Sequence, residues 1–82
     1  MNPRRLLIVD DDLGSRESLR QTFAGLYQVH AVDSAAAAAR VLSERRIDLV
    51  LLDVMMPEKD GVTFLRELQE LYPDMPCVMV SA

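Results

Sequence analysis

Leu6-Leu7-Ile8-Val9-Asp10-Asp11-Asp12 and, further on, Leu49-Val50-Leu51-Leu52-Asp53 share one pattern: four apolar residues in a row, closed by acid. Runs of this length that show no alternation are expected of strands buried on both faces, the environment of a parallel sheet. Cys77-Val78-Met79-Val80 repeats the pattern and ends at Ser81, and the shorter Tyr27 to Val32 segment is also rich in strand formers. Between the strands the period changes. Leu19, Phe23 and Leu26 recur at helical spacing from about Ser15, with Gly25 able to end the helix. Asp33 or Ser34 can cap a second helix built on Ala35 to Ala39 and closed by Val41-Leu42. Phe64, Leu65, Leu68, Leu71 and Tyr72 make the apolar face of a third, from about Val62 to Tyr72, which Pro73 stops. Strands alternating with helices pair in parallel through right-handed crossovers, so the expected fold is α/β, an open parallel sheet with helices on both faces.

Eighty-two residues, 50% hydrophobic and 27% charged, suit one small domain with a thin core. The net charge of -4 offers no basic footprint for nucleic acid or for anionic lipid, and no run approaches the length of a membrane span. Neither partner is expected. Cys77 is alone and sits inside an apolar run, which suits a small hydrophobe in a reducing, cytoplasmic setting. His30 has no cysteine or second histidine with which to build a soft-metal site, and no role is assigned to it.

The polar residues fall where the chemistry of this fold belongs. Asp10, Asp11, Asp53 and Ser81 stand at the carboxyl ends of apolar strands, the edge at which open α/β sheets bind ligands. Clustered carboxylates repel one another, and a hard divalent cation such as Mg2+ relieves the repulsion through oxygen ligands. The thioether side chains of Met55 and Met56 are the wrong donors for such an ion.

At these residues the chain resembles the receiver domain of two-component response regulators. The resemblance is carried by Leu7 to Asp12, by Asp53-Val54-Met55-Met56-Pro57-Glu58-Lys59-Asp60-Gly61, and by Val78-Met79-Val80-Ser81-Ala82. It implies a flavodoxin-like receiver fold with strand order 2-1-3-4 over residues 1–82, incomplete at the C-terminus because the fifth strand and helix of the family are absent. It implies that Asp53 accepts a phosphoryl group from a histidine kinase. It further implies Mg2+ held by Asp10, Asp11, Asp53 and the backbone carbonyl of Met55, with Ser81 hydrogen-bonding the phosphoryl group. Asp12 stands where the family more often has glutamate, keeping the charge at a helix start. The family's lysine at the end of the fifth strand has no counterpart, since Lys59, the single lysine, falls in a loop.

The function expected is therefore a phospho-acceptor signalling module and not an enzyme, with an effector domain as a possible partner beyond Ala82. A magnesium-dependent phosphohydrolase is the first alternative, although such enzymes commonly carry a second acid two residues after the nucleophile, where this chain has Met55. A receiver-like interaction module that takes no phosphate is the other. An uncharged Val78-Met79-Val80 strand left at an edge would also be open to self-association.

Overall fold

The two acid-ended runs and the two shorter apolar segments form the strands of one sheet, and the periodic stretches between them form the helices. A computed structural model describes residues 4–53 and 61–80. The elements are β1 (Arg5–Val9), α1 (Leu13–Phe23), β2 (Gln28–Val32), α2 (Ala35–Glu44), β3 (Leu49–Asp53), α3 (Gly61–Leu71) and β4 (Cys77–Val80). All strand pairs are parallel, in the order β2-β1-β3-β4. This is the expected α/β architecture and the expected strand order.

β1 and β3 are central, and side-chain alternation divides their residues between two faces. Leu7, Val9, Val50 and Leu52 point to one face, where Ala35, Ala38 and Leu42 of α2 and Phe64 and Leu68 of α3 are buried with them. Leu6, Ile8 and Leu51 point to the other, beneath Leu19 and Phe23 of α1. Helices therefore cover both faces, as a parallel sheet requires. Ala35 and Ala38 explain the alanine run: small side chains let α2 lie close on the sheet, and Ala38 is fully buried.

Several boundaries differ from the sequence expectation. Helix α1 starts at Leu13, not Ser15, because extended Asp12 is its N-cap and accepts a hydrogen bond from the Ser15 amide at 2.7 Å. It ends at Phe23 without a left-handed glycine, since Gly25 has no positive φ and the Leu26 and Tyr27 amides both donate to the Phe23 carbonyl at 3.0 Å. Leu26 is consequently off the helix and exposed, and the edge-on contact with Phe23 is made by Tyr27, ring centroids 6.0 Å apart. Ser34, rather than Asp33, caps α2 through its bond from the Ala37 amide at 3.1 Å. Leu71 is exposed at the end of α3 instead of joining its apolar face. Cys77 is half-buried at the margin of the core, and Val78 is 48% exposed, because β4 lies at an edge of the sheet among the described residues. None of the helices described is long and apolar enough to cross a membrane.

Candidate functional site

The strand register builds the site. Val9 pairs with Leu52, so Asp10 and Asp53 each lie one residue past the last matched pair of β1 and β3. By alternation they continue the rows Leu6-Ile8 and Leu49-Leu51 on the α1 face. Asp11 follows in the β1–α1 loop. Asp10 is 2% exposed, Asp53 is half-buried and Asp11 is exposed, yet one carboxylate oxygen from each lies within 4.8 Å of the other two.

The loop between β1 and α1 is held by polar contacts. The Asp10 amide donates to the Val32 carbonyl at 3.1 Å, extending the β1–β2 ladder by one bond. The Asp10 carboxylate accepts from the Asp12 amide at 3.0 Å, closing an Asx turn. Asp12 then caps α1, and its carbonyl accepts from the Arg16 amide at 2.9 Å. The Arg16 guanidinium returns to the loop and donates to the Asp10 carbonyl at 2.9 Å. The reading of the sequence missed Arg16. Its position four residues after the cap, which returns the side chain toward the helix start, is the signal that could have found it.

The donor set can be tested against a cation. An octahedral Mg2+ with oxygen ligands at about 2.0–2.1 Å sets neighbouring donors roughly 3 Å and opposite donors roughly 4.2 Å apart. Three hard oxygens within 4.8 Å of one another are close to that spacing. The residues fit a hard divalent ion. Met55 and Ser81, also expected at the site, lie outside the described residues, as do Lys59 and the rest of residues 54–60.

The remaining titratable groups singled out in the sequence are elsewhere. His30 is on β2, paired in register with Leu7, its Nε2 buried without a hydrogen-bond partner among the described residues. Burial first, and then the charges of Arg45 and Arg5, hold its pKa below the ordinary histidine value. Burial pushes the Cys77 thiol up, away from thiolate chemistry.

Comparison with known proteins points the same way. A family model described as the response regulator receiver domain matches residues 6–82. Transcriptional regulatory protein GlrR of Escherichia coli (strain K12) is 40% identical over 82 residues, which cover 98% of this chain and 18% of that protein. The receiver domain protein (CheY-like) from Methanospirillum hungatei JF-1 superposes with a TM-score of 0.88 at 30% identity, over 98% of this chain and 65% of that one. The MaeR response regulator bound to beryllium trifluoride superposes at 0.89 with 27% identity, over 96% of this chain and 67% of its own. The chain thus spans under a fifth of GlrR and just under two thirds of the Methanospirillum domain. Sequence and backbone agree over almost its whole length, and on that agreement the chain belongs to the response regulator receiver domain family.

Proposed function

We propose that the chain is a phospho-acceptor: Asp53 takes a phosphoryl group from a histidine kinase, with Mg2+ held by Asp10, Asp11, Asp53 and the Met55 carbonyl. The observation that carries this reading is the convergence of three carboxylates, from two strand ends and one loop, to within 4.8 Å. A carboxylate oxygen of Asp53 attacks phosphorus, the bond from phosphorus to the kinase histidine breaks, and an acyl phosphate forms on Asp53 as the imidazole leaves. Phosphoryl transfer of this kind asks little covalent chemistry of the protein and much positioning. The position of Asp53 at the carboxyl end of β3, the side on which open α/β sheets bind ligands, supports this role. Asp10 and Asp11 would hold the ion beside it. When bound, Mg2+ would neutralise charge on the transferring oxygens. Ser81 would hydrogen-bond the phosphoryl group. Beryllium trifluoride completes a tetrahedron on accepting one oxygen donor, which gives it the shape of a phosphoryl group, so its presence on the similar MaeR regulator supports an anionic tetrahedral ligand here.

Output through an effector segment, as the name of GlrR suggests for that protein, is part of the same proposal. The test is intact mass spectrometry after incubation with a small acyl phosphate and Mg2+. One phosphoryl increment is expected for the wild type and none for Asp53→Asn or Asp53→Ala; full labelling of both variants would remove Asp53 from the role. Repeated release of phosphate, many per chain, would favour the phosphohydrolase.

A further inference from the structure

We propose that Arg16 is a positioning residue, which fixes the loop carrying Asp10 and Asp11 so that their carboxylates face Asp53 and stay available to a cation. Arg16 acts on the loop at both of its ends. Its amide donates to the Asp12 carbonyl at 2.9 Å, closing the first turn of α1, and its Nη1 reaches back to the Asp10 carbonyl at 2.9 Å. The Asp10 amide is already tied to Val32. The Asp10 carbonyl and the Asp11 amide share one rigid peptide plane, so a bond to that carbonyl also sets the direction in which Asp11 leaves the strand.

The choice of acceptor matters as much as the bond. An arginine next to three carboxylates would ordinarily form a bidentate pair with one of them and compete with a metal for its oxygens. Here the guanidinium is engaged by a main-chain carbonyl, and the Asp10 carboxylate is turned instead by the Asp12 amide at 3.0 Å. The guanidinium acts as a strut for the loop without occupying its ligand atoms. Arg16 is partly buried, so the contact is shielded from full competition with water.

Charge and position predict opposite signs when Arg16 is changed. Deleting a cation near three carboxylates should, by Coulomb's law alone, tighten the binding of Mg2+. Deleting the strut should weaken it. The inference rests on reading Asp10, Asp11 and Asp53 as a cation site, so the experiment carries a control for that reading.

Mg2+ alone is titrated into wild-type protein and into Arg16→Met, Arg16→Lys and Asp11→Asn, followed by amide resonances, and hydrogen exchange of the Asp12 amide is measured without metal. Arg16→Met, which keeps much of the length of the side chain but neither charge nor donor, should lose between about 10- and 100-fold in Mg2+ affinity, the range for groups that orient metal ligands. Arg16→Lys should stay close to the wild type. The Asp12 amide should exchange at least about tenfold faster in Arg16→Met, while the amides of β1 and β2 keep their protection and show the sheet to be folded. Unchanged or tighter Mg2+ binding by Arg16→Met overturns the proposal. If Asp11→Asn titrates like the wild type, the cation site itself has failed. The exchange arm then decides on Arg16 alone, and an unchanged Asp12 rate overturns its hold on the loop.

Discussion

The two faces of the sheet are built to different standards. On the α2 and α3 face ten of the described residues are buried, with Leu7, Val9, Val50 and Leu52 at no exposure. On the α1 face three apolar residues and Asp10 are buried among the described residues, and α1 contributes no buried residue of its own, only the partial cover of Leu19 and Phe23. Yet the rows of the thinner face are the ones that end in Asp10 and Asp53. The densely packed face holds the strands in register; the thinner one has its loop placed by directed hydrogen bonds from Asp12 and Arg16. Burial secures the frame on one side, and polar geometry shapes the site on the other.

The widest contrast should come from truncating one residue on each face. Leu52→Ala removes a fully buried side chain and should cost about 2–5 kcal/mol, a large part of the roughly 5–15 kcal/mol typical of a whole domain. Phe23→Ala, from a half-covered position, should cost about 1–2 kcal/mol. Urea unfolding of the two variants checks both, and equal losses would mean that the faces are not unequal as described.

The helix caps sharpen the same contrast at a smaller scale. Asp12→Ala and Ser34→Ala each remove one cap and should cost about 0.5–2 kcal/mol. α2 is pinned by Ala35, Ala38 and Leu42, whereas α1 has no buried anchor. Amide exchange should therefore quicken over the first turn of α1 in Asp12→Ala and change much less over the first turn of α2 in Ser34→Ala. Equal fraying would break the comparison.

The smallest effect concerns pH and belongs to the α2 face. His30 has a folded pKa below its unfolded value, so the folded state resists taking up the proton. Above an unfolded value of about 6.5 both states are neutral and the group has no influence; as pH falls below it, stability is lost until the folded pKa is reached. Denaturation of the wild type and of His30→Asn at neutral pH and at mildly acidic pH should show a steeper acid loss in the wild type. Parallel losses would show that the ring is not shielded.

The same contrast separates what the sequence discloses from what it withholds. The central strands could be read because a strand buried on both faces has no alternation, and an unbroken apolar run as short as Leu49 to Leu52, closed by an acid, is too brief for a buried helix. An edge strand can carry the same letters, which is why Cys77 to Val80 gives no sign that Val78 is 48% exposed. Leu26 continues a helical period beyond the point at which the backbone still supports it, whereas Leu71 is still helical, the last residue of α3, but exposed. The meeting of Asp10, Asp11 and Asp53 followed from strand ends and topology, but the burial of Asp10 beside an exposed Asp11 did not, since it depends on how one loop turns. Arg16 is harder to read: its partner is a main-chain carbonyl, so no pairing of side-chain types marks it, and only its place four residues after the cap points to it.

The pairing of Val9 with Leu52 also bears on how the chain is checked during folding. A slip of β3 by one residue against β1 would exchange its two apolar rows between the covered faces, spoil their packing and carry Asp53 to the opposite face, away from Asp10. A cation or phosphoryl donor that needs both acids can engage only the correctly registered chain, and whatever binds the native state alone adds to its population by mass action. Under the proposed function, a misregistered chain would bind neither, and a folding error could not pass for a signal.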